Sequence, residues 1–318
     1  MSKEIILVIG LPASSKTTYT LREFPSHHRV NRDTIGGKID SLVPYIEKKI
    51  KEGHTEFVLD NTHGNIASRA MFVNLAKKHG FSVKCHWIQT SAEDAQFNAS
   101  LRMVRKYGRI LNGAEIKEVQ KKGDSNTFPI NVIFSFRNSF EKPTLKEGFD
   151  EIVEVPYQRE LPAEYSNKAL ILDYDGTLRE TISGNIYPLT PDDIKILPNR
   201  SEVLADYKKQ GYVLLGVSNQ SGIHKGVMTE AESRACFERT NEMLGHSIDF
   251  RFCPHASGPI SCYCRKPCVG FGAEYIEKYK LNPAKCIFVG DLGTDKSFAQ
   301  RCGFKYYDAE QFFAEKIG

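Results

Sequence analysis

The chain has 318 residues, of which 41% are hydrophobic and 26% charged; this fits a folded protein and excludes a disordered one. Single cores stop growing near that length, so two domains are expected. The formal net charge of +4 is compatible with a polyanionic substrate without requiring one, and no run of apolar residues is long enough to predict a membrane span.

Ile5–Ile9 predicts a buried first strand rather than a signal peptide, because it runs directly into a glycine-containing loop with a lysine. That loop, Gly10-Leu-Pro-Ala-Ser-Ser-Lys16-Thr17, has the strand–loop–helix context of a phosphate-binding loop, with Ser15 where glycine normally precedes the lysine. A helix N-terminus and converging backbone N–H groups would cradle phosphates there. The ATP-binding candidates are Gly10, Ala13, Ser14, Ser15, Lys16, Thr17 and Thr18. Lys16 suits the β- and γ-phosphates, and the Thr17 hydroxyl suits Mg²⁺. The bland alternative is an ordinary strand–turn–helix junction.

Val30 ends a short strand, and Asp33 follows. Asp33 is placed to deprotonate an acceptor hydroxyl, or else to cap a helix predicted over Ile35–Lys51. Phe57–Leu59 predicts the next strand, with Asp60 at its C-terminal edge as support for Mg²⁺. Helices are predicted over Ala67–His79 and Ala92–Arg105, and a strand over Val83–Trp87 between them. Arg102 and Arg105 share a helical face and suit a lid over ATP, or simply a solvated basic face. Ile152–Val155 closes this unit, and the polar stretch from Pro156 to Asn167 predicts a linker.

A second alternating unit follows, with strands predicted at Ala169–Leu172, Tyr212–Val217, Phe250–Phe252 and Ile287–Val289. The fold class is therefore α/β: two domains with largely parallel sheets, at residues 1–157 and 168–318. Each strand of the second unit ends in polar residues. Asp173 is the candidate nucleophile and Asp175 the candidate general acid and base. Ser218 and Lys266 suit phosphoryl oxygens. Asp173, Asp175, Asp291 and Asp295 form the candidate Mg²⁺ set. Cys253, His255, Cys262 and Cys264 have the chemistry of a closed structural Zn²⁺ site just ahead of Lys266. Eight cysteines so clustered point to metal ligation in a reducing, intracellular compartment, cytoplasmic or nuclear, rather than to a secreted disulfide scaffold.

GLPASSKTT, VNRDTIG, LDNTHGNIASR and FRNSFEKPTLKEGF resemble the kinase domain of bifunctional polynucleotide 5′-kinase/3′-phosphatases. DYDGTL, VSNQSG, RKP and GDLGTD resemble the haloacid-dehalogenase superfamily, and the CPH–CYC loop resembles its histidinol-phosphate and sugar-phosphate phosphatases. The resemblance implies a P-loop kinase fold followed by a haloacid-dehalogenase-like Rossmannoid fold with a zinc loop. It also implies a DNA- or RNA-repair enzyme using ATP, Mg²⁺ and Zn²⁺. The kinase would phosphorylate 5′-hydroxyl ends with Asp33 as base, and the phosphatase would clear 3′-phosphates with Asp173 as nucleophile. Such ends can be sealed by a nucleic-acid ligase. The alternative is a bifunctional enzyme for sugar phosphates or other small metabolites.

Overall fold

The computed structural model describes residues 3–314. Contacts divide the chain into two compact units, Met1–Ala99 with Val119–Glu160, and Ser100–Glu118 with Leu161–Gly318. By these contacts residues 100–118 group with the second unit.

The elements of the first part run β1 (Glu4–Ile9), α1 (Lys16–Glu23), β2 (His28–Val30), α2 (Arg32–Ile35), α3 (Leu42–Lys51), β3 (Glu56–Asp60), α4 (Ile66–His79), β4 (Ser82–Gln89), α5 (Ala92–Tyr107), α6 (Gly113–Lys121), α7 (Asn131–Ser139) and β5 (Glu151–Pro156). The strands form one parallel sheet in the order β2-β3-β1-β4-β5. Helices cover both faces, so the central strands are apolar on both. Ile5, Leu7 and Ile9 pack with Phe57, Leu59 and Phe72 on one face, and Ile6 and Val8 with Val58 and Ile88 on the other.

The helix predicted over Ile35–Lys51 begins only at Leu42, and a separate short helix, α2, ends where it was expected to start. α2 ends at Gly36 and Gly37, whose φ values of +87° and +82° leave the right-handed helical region. Its cap is Asn31, whose side chain accepts from the Asp33 and Thr34 amides, so Asp33 lies inside the first turn and is not the cap.

The second part runs β6 (Ala169–Leu172), β7 (Arg179–Thr181), β8 (Ile194–Ile196), α8 (Arg200–Lys209), β9 (Val213–Asn219), α9 (Ser221–His224), α10 (Glu230–Leu244), β10 (Asp249–Cys253), α11 (Gly270–Tyr279), β11 (Ile287–Gly290), α12 (Gly293–Cys302), β12 (Lys305–Asp308) and α13 (Ala309–Ala314). Its parallel sheet has the order β10-β9-β6-β11-β12. β7 and β8 form a separate antiparallel pair, too short to be legible as strands in the sequence. Both sheets present their C-terminal edges to the loops that carry the polar residues, where open α/β sheets bind ligands. Among the described residues, no helix is long and apolar enough to cross a membrane.

Candidate active sites

The loop after β1 turns sharply. Ala13 and Ser15 adopt left-handed φ values of 60° and 64°. Glycine takes that conformation freely, which accounts for its usual place before the lysine. Ser15 is the N-cap residue of α1, and Asn98 of α5 ties the loop by donating to the Ala13 carbonyl at 2.9 Å. Lys16 is buried and donates to the carbonyls of Gly10 (3.1 Å) and Leu11 (2.7 Å) and to Ser14 Oγ (3.2 Å). At Gly10 an added Cβ would sit 2.9 Å from Ser14 Oγ and 3.0 Å from the Ile88 carbonyl, so the loop closes this tightly only on glycine. A buried ammonium held by neutral oxygens at a helix N-terminus fits a polyphosphate.

Thr17 Oγ1 donates to Asp60 Oδ2 at 2.7 Å, and Arg29 Nη2 reaches the same oxygen at 2.6 Å. Hydroxyl and carboxylate at this spacing fit a Mg²⁺ ion held between them and a phosphate. Asn31 and Asn61 lace the neighbouring strand ends. Asn31 Nδ2 donates to the Asp60 carbonyl at 2.5 Å, and Asn61 Oδ1 accepts from the Arg32 amide at 3.0 Å. Asp33 projects from this laced turn, its side chain 41% exposed and 3.4 Å from Arg32 Nη2.

Two residues unassigned from the sequence stand beside this loop. His63 is buried, and neither ring nitrogen makes a well-formed hydrogen bond. Burial first, then the Lys16 and Arg69 charges, push its pKa down to about 3, so the ring is neutral. Arg69, with no exposed surface, donates to the His63 carbonyl at 3.1 Å and to both oxygens of Glu147 at 2.7 and 2.9 Å. This bidentate pair joins the LDNTHGNIASR and EKPTLKEGF segments, which the sequence marked as distinctive without revealing that they meet. A cavity of about 380 Å³ opens on the sheet edge, lined by Leu11, Trp87, Thr90, Phe136, Arg137 and Phe140 among others. Trp87 and Phe140 lie 5.6 Å apart between ring centroids.

In the second unit, Lys266 Nζ lies 2.7 Å from Asp173 Oδ1, 2.8 Å from Asp295 Oδ1 and 2.7 Å from the Val217 carbonyl. Asn219 at the end of β9 clamps the Lys266 backbone, donating to its carbonyl at 3.1 Å and accepting from its amide at 3.0 Å. Asp173, Asp291 and Asp295 bring carboxylate oxygens within 4.8 Å of one another. Burial, then the Asp295 and Asp175 charges against Lys266, pushes Asp173 up to about 7. Burial and Asp295 likewise raise Asp291. For Lys266, burial opposes the charged form, but Asp173 and Asp295 outweigh it and raise the pKa. Three crowded carboxylates against one ammonium leave an excess of negative charge that fits a divalent cation. At Gly176, φ is +80° and an added Cβ would lie 2.5 Å from Asp291 Oδ2, so the turn after Asp175 requires glycine.

Asp175 stands apart from that set. Arg179 Nε donates to its Oδ1 at 2.8 Å, and Gln220 Nε2 donates to its Oδ2 at 2.8 Å and to Ser218 Oγ at 3.1 Å. The expectation of Asp175 as a carboxylate metal ligand is corrected accordingly: both of its oxygens are engaged elsewhere. Gln220 and Arg179 were not singled out from sequence, since neither charge nor spacing marks them.

Cys253, His255, Cys262 and Cys264 place their ligand atoms within 4.8 Å of one another. His255 Nδ1 lies 3.4 Å from Cys253 Sγ and 3.3 Å from Cys264 Sγ, and Cys253 and Cys262 sulfurs are 3.7 Å apart, not bonded. Contacts with Cys253 and Cys262 raise His255 to about 10, while those with Cys253 and Cys264 hold the Cys262 thiol well below its usual range. Such a Cys₃His set fits a tetrahedral Zn²⁺. Arg105, expected over ATP, instead pairs with Glu277 at 2.8 Å and reaches Tyr165 at 3.2 Å within the second unit. Arg102 belongs to that unit too, near Tyr263.

Comparison with known proteins bears on both halves. Residues 168–318 match the family described as polynucleotide kinase 3 phosphatase, and residues 38–120 match an AAA domain. The chain is 34% identical over 139 residues to the probable D-glycero-D-manno-heptose-1,7-bisphosphate 7-phosphatase of Thermoplasma volcanium, covering 42% of this chain and 92% of that protein. It is 28% identical over 158 residues to the bifunctional polynucleotide phosphatase/kinase of Schizosaccharomyces pombe, covering 49% of this chain but only 34% of that one. The crystal structure of the B. bronchiseptica D,D-heptose 1,7-bisphosphate phosphatase, complexed with magnesium and phosphate, aligns at a TM-score of 0.41 and 24% identity over 48% of this chain and 87% of that one. The chain joins a unit matching an AAA domain to a phosphatase unit, and through the latter, which also matches the polynucleotide kinase 3 phosphatase model, it belongs to the family of the D-glycero-D-manno-heptose-1,7-bisphosphate 7-phosphatases.

Proposed function

We propose that this chain heals nucleic-acid ends: the N-terminal site transfers the ATP γ-phosphate to 5′-hydroxyl ends of DNA or RNA, and the C-terminal site hydrolyses 3′-phosphates. The observation that carries the reading is the pairing, in one chain, of a phosphatase half matching the polynucleotide kinase 3 phosphatase family with a P-loop half. The S. pombe relative is named a bifunctional polynucleotide phosphatase/kinase, which supports the reading over the 49% of this chain that it matches.

In the kinase site, Lys16 and the amides of the loop bind the ATP phosphates, and Thr17 with Asp60 would hold Mg²⁺. Asp33 accepts the proton of the attacking 5′-hydroxyl as its oxygen bonds to the γ-phosphorus and ADP leaves. The aromatic cavity beside Leu11 offers a stacking face for a nucleobase.

In the phosphatase site, an Asp173 oxygen attacks the 3′-phosphorus while Asp175 donates its proton to the departing 3′-oxygen. Asp175 then takes a proton from water as the water oxygen attacks the phosphorus, releasing phosphate and regenerating Asp173. Ser218 and Lys266 hold the phosphoryl oxygens through both steps. Mg²⁺ bound by Asp173, Asp291 and Asp295 would neutralise the charge of the incoming phosphate. Zn²⁺ on the cysteine–histidine set would be structural, steadying the loop that leads to Lys266; metal analysis should find it retained under conditions that wash out Mg²⁺. The healed ends suit a nucleic-acid ligase, and the reduced thiols suit action inside the cell, in cytoplasm or nucleus.

A second reading, hydrolysis of a small sugar phosphate, is favoured by the 34% identity to the heptose-bisphosphate phosphatase and by the zinc loop. One experiment separates them. The purified chain is given 5′-hydroxyl and 3′-phosphate oligonucleotides, DNA and RNA, beside a panel of sugar phosphates. End healing predicts kcat/KM for the 3′-phosphate oligonucleotide well above that for any sugar phosphate. The reverse order, with no transfer to 5′-hydroxyl ends, overturns the proposal.

A further inference from the structure

We propose that Arg179 is a positioning residue for Asp175, orienting its carboxylate for the water-activating half of the phosphatase reaction. The inference rests on the roles of Asp173 and Asp175 given above but not on the identity of the natural substrate.

Arg179 begins β7 and is 1% exposed. A buried guanidinium is retained only when its donors are satisfied and its charge is paired. Here Nε donates to Asp175 Oδ1 at 2.8 Å, while Nη1 donates to the Cys236 carbonyl and to Thr240 Oγ1, each at 2.8 Å. Both acceptors belong to α10. Its charge also lies against two aromatic rings on one side, 4.6 Å from the Phe237 centroid and 5.4 Å from that of Tyr174, the rings themselves meeting edge to face at 4.5 Å. The backbone reinforces the link: the Gly176 amide donates to the Arg179 carbonyl at 2.9 Å, and the Arg179 amide to the Tyr174 carbonyl at 3.0 Å. The guanidinium is thus immobilised by α10 and by the rings, and offers one fixed N–H to one oxygen of Asp175.

Gln220 fixes the other oxygen and reaches on to Ser218. A carboxylate held at both oxygens keeps one rotamer, and a base works only when its lone pair faces the proton it removes. Gln220 also bonds Ser218, a residue assigned to the phosphoryl oxygens, whereas the Arg179 guanidinium bonds Asp175 and otherwise only groups of α10. Its effect is therefore on Asp175 geometry alone.

The two half-reactions separate this role from a structural one. The first half forms the Asp173–phosphorus bond and breaks the bond to the leaving oxygen; it needs the Asp175 proton when the leaving group is an alkoxide but not when it is an aryl oxide. The second half breaks the Asp173–phosphorus bond with water and needs Asp175 in either case. With p-nitrophenyl phosphate, Arg179→Met should keep a rapid burst of nitrophenolate and then turn over ~10-fold or more slower, with phosphate accumulating on Asp173. Arg179→Lys should recover part of the second phase. Thr240→Val, which removes one anchor of the guanidinium and leaves its bond to Asp175, should give a smaller accumulation in the same sense.

The experiment is rapid-quench trapping of the phospho-enzyme in the full-length chain, counted per folded molecule, beside steady-state turnover. Burst followed by slow release, with Asp173 phosphorylated, supports the role. If turnover falls while the phosphorylated fraction stays at the wild-type level, Arg179 is only structural and the proposal is overturned. Should Arg179→Met fail to fold, Thr240→Val decides by the same two outcomes. Absence of any phospho-Asp173 in the wild type would instead overturn the mechanism under Proposed function, so the two failures are distinguishable.

Discussion

Lys16 and Lys266 are both buried ammonium groups at the C-terminal edge of a parallel sheet, yet their surroundings have opposite sign. Lys16 donates to two carbonyls and a hydroxyl. Lys266 lies against two carboxylates, with a third close to both. The first site sets its ammonium among carbonyl and hydroxyl oxygens and is shaped by backbone conformation; a ligand with anionic oxygens suits it. The second has more negative charge than it can neutralise and is shaped by side chains; it needs a cation before a phosphate dianion can approach. On the proposed function, the two chemistries would divide along that line, one site suiting a polyphosphate and the other a metal and a monoester.

The comparison is most severely tested by exchanging the damage. Asp173→Asn removes the attacking oxygen and should lower phosphatase turnover by about four orders of magnitude or more, with kinase activity unchanged. Lys16→Ala should lower phosphoryl transfer from ATP by ~10²–10³-fold and leave the phosphatase as it was. Fluoroberyllate, an aspartyl-phosphate mimic, should map to Asp173. Loss of both activities in either folded variant would show that the two sites are not independent.

Asp33 sharpens the kinase side. Its turn is capped by Asn31, so Asp33→Asn should leave thermal stability and ATP affinity unchanged while reducing kcat by ~10²–10⁴-fold. Asn31→Ala should do the opposite in kind, costing about 1 kcal/mol of stability through the lost cap. If Asp33→Asn lowers the melting temperature as much as Asn31→Ala does, with kcat per folded molecule intact, Asp33 is a structural residue and the base lies elsewhere.

What the sequence made legible follows from the same contrast. Strand ends were readable because an apolar run that stops in Asp, Ser or Gly is a local pattern; Ala169–Leu172 and the Asp173 that follows stand where that pattern places them. The cysteine–histidine cluster is legible because short spacings such as Cys262-Tyr-Cys264 bring those side chains together whatever the rest of the fold does. For Arg102 and Arg105, helical spacing tells which residues share a face and nothing about what that face meets; Arg105 meets Glu277, 172 positions away. Arg69, Arg179, His63 and Gln220 escaped for a related reason. Each is a polar residue whose meaning is burial, and burial is decided by partners distant in the chain, as Glu147 is for Arg69.

The excess negative charge of the phosphatase site predicts a pH dependence. Burial and neighbouring carboxylates raise Asp173 from 3.8 to about 7. A carboxyl with a raised native pKa binds its proton more tightly folded than unfolded. Without Mg²⁺, its contribution to stability is therefore present near pH 4 and is lost as pH rises toward about 7. Mg²⁺ competes with that proton and should restore what is lost. The melting temperature of the phosphatase unit should rise by ~2–5 °C on adding Mg²⁺ at pH 7.5 and by much less at pH 5. An equal rise at both values would mean that the carboxylates are not the Mg²⁺ ligands.

The smallest effect belongs to the backbone-shaped site. Ser15 holds φ at 64° where glycine is usual before the lysine. A side chain in that conformation is strained by ~1–2 kcal/mol. Glycine relieves the strain but gives the unfolded chain more freedom, which offsets ~0.4–1 kcal/mol. Ser15 Oγ also accepts a long contact from Asn98 Nδ2 at 3.4 Å, too weak to weigh heavily, and Asn98 keeps its 2.9 Å bond to the Ala13 carbonyl without it. The net expectation for Ser15→Gly is a gain of ~0–1 kcal/mol in the stability of the kinase unit. Kinase kcat/KM should change by less than about threefold, because the phosphates are met by loop amides that glycine presents equally well. Phosphatase activity should not move. Denaturant unfolding and initial-rate kinetics on the one variant decide the matter. A loss of tenfold or more in kcat/KM would give the Ser15 hydroxyl a direct part in binding the transferred phosphate, and this site would then depend on side-chain chemistry as the phosphatase site does.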